Sequence, residues 1–530
     1  MCYDGMENGH DDAVRSFSES MGERTDTPRA GRTGAAGRAQ RRAPLWEALA
    51  AYRNRRPARF HVPGHKGGTG LDPEAAPWLA GVCEVDVTEL AGLDDLHKPE
   101  GVIAEAEELA AACFGAERTR FLVGGSTAGN LAFILAVCKP GDVLLVQRDA
   151  HKSVYNGLML AGARAVLLEP RIDPDLGLPC GLRAEDVERA LAKYPAAAGL
   201  VVTDPNYYGF GTDLAPIVAA AHRRGVPVLV DAAHGAHYGF HPQVPPSPLA
   251  SGADAVVQSA HKMLPALTMG ALFHMQGGLL DREAVERALS AIQTSSPSYP
   301  VMASLDLARR QMALSGKALL GRALGVARML TEGLLARPWL EVARPKADVR
   351  RDPLKVTFRD RSGRLGGRTL AGKLEERGCY PEMADPVFVT LALGLSTSED
   401  EIRRLLEALD EISADLRPAE QELGEPIKNI YISPFARDGR LAADVPEPVG
   451  FRFFRSGEGA VRSVPPEEAV GAVCAAAVVP YPPGVPLLVP GETVTAEAVR
   501  LLKAWQAAGA GIHGLNRDGT INIRTDGVQP

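Results

Sequence analysis

Two side chains near the middle of the sequence have the types and the placement for chemistry on a carbonyl group. Lys262 lies just beyond residues 255–257, a short apolar run that indicates a buried strand. Burial or a neighbouring cation would lower the pKa of such a lysine, and a neutral amine can form a Schiff base. Asp231 directly follows another apolar run, residues 228–230, so its carboxylate needs a cationic partner. The alternatives are a solvated lysine at the end of a strand and an aspartate that caps a helix.

A run of small residues, 124–130, could bind an anion. It connects a predicted strand, residues 119–123, with a predicted helix, residues 131–138. Free backbone N–H groups and the helix dipole attract negative charge at such a junction, and Ser126 and Thr127 add hydroxyl groups. The alternative is an ordinary helix cap with flexible glycines.

Pyridoxal phosphate has the chemical groups that this arrangement would bind. Asp231 and Lys262 end successive predicted strands, which suits a ligand with a protonated nitrogen and a carbonyl group. Pyridoxal phosphate has both, and its phosphate would suit the turn at Ser126. An aromatic or imidazole ring should cover one face of this cofactor, and His151 is placed for that role.

The remaining pattern predicts the scaffold that would bring these residues together. Helical segments such as 183–193 and 214–224 separate most of the apolar runs that predict strands, which are 119–123, 143–146, 165–168, 200–203, 228–230, 255–257 and 271–273. Alternating strands and helices predict an α/β fold with a mostly parallel sheet that helices cover on both faces. Ligands bind such sheets beyond the carboxyl ends of the strands. Those ends present Ser126, His151, Asp204, Asp231 and Lys262.

Composition excludes several other classes of protein. The 530 residues are 45% hydrophobic and 23% charged with a net charge of -7, so we expect no nucleic-acid partner and no anionic membrane surface. The seven cysteines are scattered and form no CxxC pair, which argues against a zinc site and for reduced thiols. Neither a secretory signal nor a membrane-spanning run is evident. These features predict a cytoplasmic protein without a metal.

The composition also divides the chain into four regions. Residues 1–43 are rich in Arg, Gly, Ser, Asp and Glu, which predicts a disordered leader. Order should begin at residue 44, and the pattern changes again after about residue 310 and after the helix that Ser398 and Glu401 are predicted to cap. We therefore expect a large cofactor-binding domain at 44–310, a small α/β domain at 311–418 and a C-terminal domain at 419–530.

Taken together, the motifs resemble those of one family, the Orn/Lys/Arg decarboxylases. The resemblance runs from about residue 44 to about residue 525 and is most specific at 125–130 (GSTAGN), 148–153 (RDAHKS), 230–237 (VDAAHGAH), 259–262 (SAHK) and 480–486 (PYPPGVP). It implies a pyridoxal-phosphate enzyme of fold type I, the aspartate-aminotransferase fold. The chain is most similar to the short bacterial members, because no receiver-like domain precedes the cofactor domain.

The resemblance also implies a role for each matching residue. Lys262 would hold the cofactor as an internal aldimine, Asp231 would pair with the pyridine nitrogen, and His151 would stack on the ring. The phosphate and the rest of the cofactor would be bound by Gly125, Ser126, Thr127, His234, Ser259 and His261. The site would be completed across a homodimer interface by residues 294–299, which are similar to the family segment that reaches the neighbouring subunit's cofactor.

The implied reaction is decarboxylation of a basic L-amino acid, with arginine and its product agmatine, a polyamine precursor, preferred over lysine and ornithine. Lys262, Asp231 and His261 would be catalytic, and either His261 or the released Lys262 would return a proton to Cα. A basic side chain needs acids at the far end of the pocket. Candidates are Glu382, Asp385 and Asp94, with Glu89 and Asp95 beside the last, although each could be an ordinary surface carboxylate.

Two other functions remain open at this stage. One is another reaction of the same cofactor, such as transamination or retro-aldol cleavage. An aminotransferase of this fold would normally use an arginine of the small domain to bind the α-carboxylate, and residues 337–378 contain many arginines. The other is a cofactor-binding or regulatory protein without turnover, against which the intact Lys262, Asp231 and His151 argue.

Overall fold

A computed structural model of the chain describes residues 37, 39–346, 348–416, 445–451, 461–481 and 484–525. The predicted leader, residues 1–43, lies almost wholly outside these ranges, as does much of the region that follows residue 416. None of the described helices is both long enough and apolar enough to cross a membrane.

An eight-stranded sheet forms the centre of the large domain. Its strands, in spatial order, are β1 (Arg118–Leu122), β8 (Ala271–Met275), β7 (Ala255–Gln258), β6 (Val228–Asp231), β4 (Gly199–Thr203), β2 (Val143–Gln147), β3 (Arg164–Leu168) and β14 (Val449–Gly450). The neighbours from β7 to β3 pair in parallel, whereas β8 is antiparallel to both β7 and β1, and β14 is antiparallel to β3. The prediction of a mostly parallel α/β sheet is confirmed.

Helices connect these strands and cover the sheet. They are α1 (Pro44–Asn54), α2 (Ala76–Cys83), α3 (Val102–Phe114), α4 (Gly125–Val137), α5 (Lys152–Ala161), α6 (Ala184–Lys193), α7 (Leu214–His222), α8 (Ala260–Met263) and α9 (Arg282–Ile292). Helix α4 begins six residues before the predicted start at 131, because Gly124 takes the cap position and the small residues that follow form its first turns. Gly129 of this helix, which has no side chain, lies directly against the sheet.

A second sheet follows the long helix α10 (Tyr299–Leu335), which runs without interruption through the boundary predicted near residue 310. Four antiparallel strands form it in the order β12 (Met383–Ala384), β13 (Val389–Ala392), β11 (Lys355–Asp360) and β9 (Leu340–Val342). Helices α11 (Gly367–Glu375) and α12 (Glu399–Leu416) pack beside it. Ser398 and Glu401 exchange the hydrogen bonds of the predicted capping box at the start of α12.

A short ribbon ties the second sheet to the first. Its strands are β5 (Phe210–Gly211) and β10 (Arg350–Arg351), which pair antiparallel. The C-terminal part of the chain forms two further ribbons and one helix: β15 (Val461–Val464) with β18 (Ile521–Arg524), β16 (Val479–Tyr481) with β17 (Gly511–His513), and α13 (Ala496–Ala507). This part has its own apolar cluster, centred on residues such as Cys474, Leu488 and Leu502.

The close packing of α4 against the sheet can be tested at Gly129. A Cβ atom there would lie 2.8 Å from Val257 Cγ2 and 2.9 Å from Phe273 Cδ2, so Gly129→Ala should lower the free energy of unfolding by about 1–3 kcal/mol. Urea denaturation measures the change. Gly81→Ala is the matched control, because this helical glycine has nothing within 4 Å and alanine should stabilise α2 by up to about 1 kcal/mol. A Gly129→Ala protein as stable as the parent would contradict the close contact.

Candidate active site

Lys262 lies on the short helix α8, immediately after β7 ends. Its Nζ is 3.0 Å from His234 Nε2 and 5.3 Å from the centroid of the Tyr207 ring. Burial lowers the pKa of Lys262, while the negative charges of Asp231 and Glu382 oppose that change. The lysine is therefore easier to deprotonate than a lysine in water, as a nucleophilic amine requires.

Asp231 ends β6, the strand next to β7, and only 2% of its surface is exposed. Its Oδ2 accepts a hydrogen bond from Asn130 Nδ2 at 2.8 Å, and its Oδ1 accepts one from the Ala233 N–H at 3.1 Å. Burial raises the pKa of Asp231, and the Asn130 hydrogen bond and the Lys262 charge act against this. A carboxylate held this way favours a positively charged group in the adjoining space.

Asn130 and Ser153 are site residues to which sequence reasoning gave no role. The Nδ2 atom of Asn130 also donates to Ser153 Oγ at 2.9 Å, and that hydroxyl lies 2.8 Å from His151 Nδ1. This chain of contacts links Asp231 to the imidazole. The sequence did contain a signal, because Asn130 and Ser153 are the last residues of the motifs at 125–130 and 148–153.

His151 is the N-cap residue of α5 and is covered by the C-terminal part of the chain. The backbone of Gly484, with φ +83°, passes so close that a Cβ there would lie 3.3 Å from the imidazole. Lys152 N–H donates to Gly484 O at 3.0 Å. Burial, with the charges of Lys262 and Lys152, lowers the pKa of His151 to about 4. The ring is therefore neutral near pH 7.

The predicted anion-binding site, here called the anion seat, is formed by the first turn of α4 and the end of β7. The Gly125 N–H is already donated to Met269 O at 2.9 Å, Ser126 borders the cavity, and Thr127 is exposed to solvent. Ser259 is buried, and its Oγ has no hydrogen-bond partner among the described residues. A helix N-terminus beside an unpaired buried hydroxyl suits an acceptor such as a phosphate oxygen.

His261 and His234 flank Lys262 in different ways. His261 Nδ1 lies 3.0 Å from Gly270 O, and burial lowers the pKa of His261. His234 is 3% exposed, and burial, followed by the charges of Lys355 and Lys262, lowers its pKa well below 6.5. Both imidazoles are therefore neutral near pH 7.

One cavity, with about 870 Å³ of space that includes its opening to solvent, brings most of these groups together. The large domain contributes Ser126, Asp149, His151, Thr203, Asp231, His234 and Lys262, while Gly125, Thr127, Ser259 and His261 do not line it directly. Tyr207 and Tyr208 add aromatic walls. The C-terminal part closes another side with Pro480, Val485, Leu487 and Trp505.

The acids proposed for the substrate's far end lie in three different environments. Glu382 is exposed but near enough for its charge to affect Lys262. Asp385 is fully buried and already accepts hydrogen bonds from Tyr208 Oη and from two backbone N–H groups. Asp94 accepts backbone N–H groups at the start of α3, so it caps that helix. The structure does not bring Asp94, Asp385, Glu89 or Asp95 to the cavity lining.

Comparisons with known proteins all point to one family. The chain matches the family models of the Orn/Lys/Arg decarboxylase major domain at residues 43–340 and C-terminal domain at residues 453–527. It is 40% identical over 468 residues to the uncharacterized protein YaaO of Bacillus subtilis (strain 168), covering 87% of this chain and 93% of YaaO. It is 34% identical over 484 residues to an arginine decarboxylase of Bacillus anthracis, covering 89% and 94%.

A solved structure shows the same fold. The lysine decarboxylase LdcF of Francisella novicida superposes with a TM-score of 0.75 at 20% identity, covering 91% of this chain and 81% of that one. The fold is thus fold type I of the pyridoxal-phosphate enzymes, and the chain is an amino acid decarboxylase. It belongs to the Orn/Lys/Arg decarboxylase family.

A buried ion pair holds the C-terminal wall of the cavity in place. Arg148 Nη2 lies 2.8 Å from Glu492 Oε2, and the guanidinium also donates to the carbonyl oxygens of Pro486 and Leu487. Arg148→Met would leave the Glu492 charge largely buried without this partner, so we expect a loss of about 3–5 kcal/mol in the free energy of unfolding.

The double variant Arg148→Met/Glu492→Leu removes both charges and should regain a substantial part of that loss. Urea denaturation of the parent, both single variants and the double variant measures the coupling. If the double variant is less stable than Arg148→Met by the full effect of Glu492→Leu, the two side chains act independently and the ion pair is not the anchor.

Proposed function

We propose that this chain binds pyridoxal phosphate and decarboxylates a basic L-amino acid, with arginine as the preferred substrate and agmatine and carbon dioxide as products. The observation that carries the proposal is the single cavity that both Lys262 and Asp231 border. The curated relative named arginine decarboxylase supports the choice of arginine. The family description leaves lysine and ornithine as the alternative substrates.

The residues present fit pyridoxal phosphate. The unpaired Ser259 hydroxyl and the first turn of α4 would hold its phosphate, with His261 close by. Asp231 would pair with the ring nitrogen, and neutral His151 would cover the ring. Bound pyridoxal phosphate supplies an aldehyde for an amine and a pyridinium ring that accepts the electron pair left by departing carbon dioxide.

The chain's own groups then have distinct tasks. Lys262 offers a nucleophilic amine, and the Asp231 carboxylate keeps a proton on the ring nitrogen. Tyr207, Leu487 and Trp505 keep water away from the substrate carboxylate. Of the two proton donors suggested for Cα, Lys262 Nζ borders the cavity and His261 does not, so we assign the returning proton to Lys262.

The cavity lining favours decarboxylation of a basic substrate over transamination. In the described part of the chain no arginine lines the cavity. Arginines of the second sheet instead bind acids elsewhere, for example Arg359 with Glu341. Asp149 is buried in the lining, where it accepts a hydrogen bond from Gln147 Nε2, and Glu382 lies nearby. We infer that Asp149 and Glu382 are the acids available to a cationic side chain.

A homodimer is part of the proposal. Thr294, Ser295 and Ser296 are exposed, whereas Tyr299 is buried and donates its hydroxyl to Asp94 O within its own chain. Leu267 and Met269, which follow α8, are exposed apolar residues near the anion seat. We infer that a second copy covers this surface and that residues 294–299 reach its cofactor.

Product analysis tests the substrate. The full-length protein with pyridoxal phosphate, incubated separately with arginine, lysine and ornithine, should release carbon dioxide and amine fastest from arginine. Lys262→Ala should lose both this activity and the visible absorbance band of lysine-bound cofactor, whereas the exposed-lysine control Lys139→Ala should keep both. A keto acid as the product would support transamination, and no absorbance band in the parent would refute cofactor binding through Lys262.

Asp231→Asn tests the role of the buried carboxylate. It should lower kcat by on the order of 10²–10³, because the ring nitrogen would lose its stabilising charge. The matched control is Asp254→Asn. Asp254 is as buried as Asp231, but it precedes β7 at the opposite end of the sheet and binds His222 and the Val228 N–H. An equal loss of kcat in folded samples of both variants would show that Asp231 has no special part in the reaction.

A further inference from the structure

A second lysine lies beside Lys262 and none of the assignments above uses it. Lys355 begins β11 in the second sheet and is only 2% exposed. Its Nζ donates to Tyr207 O at 2.9 Å and lies 5.7 Å from the centroid of the Tyr207 ring. Lys262 Nζ lies 5.3 Å from the same centroid. One aromatic ring is therefore in contact with two ammonium groups.

The backbone next to Lys355 leaves space for its side chain because residue 209 is a glycine. Gly209 has φ +81°, and a Cβ there would lie 2.5 Å from Lys355 Cβ, so a side chain at 209 would displace the lysine. The Asp352 N–H donates to Gly209 O at 2.8 Å, which fixes the two loops together. Two separate segments thus position this ammonium group beside the cavity.

Lys355 has no close acid to neutralise it. Among the described residues no carboxylate forms an ion pair with its Nζ, although Glu382 exerts the largest charge effect on Lys355. A buried ammonium group without an ion-pair partner destabilises a fold. Such groups concentrate at functional sites, which points to a role in the chemistry of the cavity.

Lys355 and Lys262 affect each other's protonation. Burial and the Lys262 charge lower the pKa of Lys355 to about 8, while Glu382 and Asp352 oppose this. Because Coulomb repulsion is mutual, a charged Lys355 also disfavours the proton on Lys262. The other titratable groups that face Lys262 are Asp231, His234, His151, His261, Tyr207 and Glu382.

We propose that Lys355 is a positioning residue whose positive charge, placed on the ring that Lys262 also contacts, keeps the Lys262 amine available as a neutral nucleophile. A neutral amine has the lone pair that attacks an aldehyde carbon, with release of one water molecule. The consequence for the reaction rests on the proposed function. The electrostatic effect on Lys262 does not, because it exists in the protein without an aldehyde.

Competitive acetylation measures this effect directly. Full-length protein, treated with hydroxylamine and dialysed to remove any bound aldehyde, is labelled with trace acetic anhydride between pH 6 and 10. Mass spectrometry quantifies the label on Lys262 relative to exposed Lys139. Lys355→Met and Lys355→Gln remove the charge, and Lys355→Arg keeps it at every pH. Circular dichroism and melting curves confirm that each variant is folded.

The expected result is an ordered series. The neutral fraction of Lys262 near pH 7.5 should be about tenfold lower in Lys355→Met than in Lys355→Arg, with the parent between them or equal to Lys355→Arg. Lys355→Gln should match Lys355→Met if it folds, so either neutral variant suffices. Identical labelling curves for Met and Arg variants would overturn the proposal. Failure of the decarboxylase proposal would appear separately, as absence of carbon dioxide release by the parent.

Discussion

The carboxylate of Asp231 is buried at the carboxyl end of β6, and the rest of the site has to stabilise its charge. Left alone, Asp231 would take up a proton, because a buried charge without partners is costly. Asn130 from α4 gives it one hydrogen bond, and Lys262, on the short helix that follows the adjoining strand, gives it a nearby positive charge. The packing of α4 against the sheet, the parallel pairing of β6 with β7 and the orientation of α8 all maintain that balance.

Much of this arrangement could be predicted from the sequence because it depends on local patterns. Short apolar runs between turns located the strands to within a residue or two, and the runs at 228–230 and 255–257 lead to Asp231 and Lys262, which border the cavity. Asp231 and Lys262 meet because parallel neighbours end at the same edge of a sheet. The antiparallel direction of β8 was not predictable, since an apolar run of five residues carries no information about its direction.

Other features depend on contacts between distant parts of the chain, and no local pattern carries them. Nothing in the sequence distinguishes Lys355 from the other lysines. In the folded chain, the turn at Gly209 places it beside Tyr207. Conversely, Asp94 and Asp385 looked like substrate acids, but backbone N–H groups and a tyrosine hydroxyl already use their oxygens. Whether a carboxylate binds a ligand or its own backbone depends on the fold around it. The assignments of the remaining site residues stay predictions.

Because the C-terminal part contributes to the cavity, it also determines when during protein synthesis the site can be completed. Lys262 and Asp231 lie near the middle of the chain, whereas Leu487 and Trp505 follow more than two hundred residues later. A chain emerging from the ribosome therefore has its lysine and aspartate in place well before the wall that covers His151. The cavity closes only after residues 485–505 have been made, so a chain that terminates before them contains Lys262 but leaves it open to solvent.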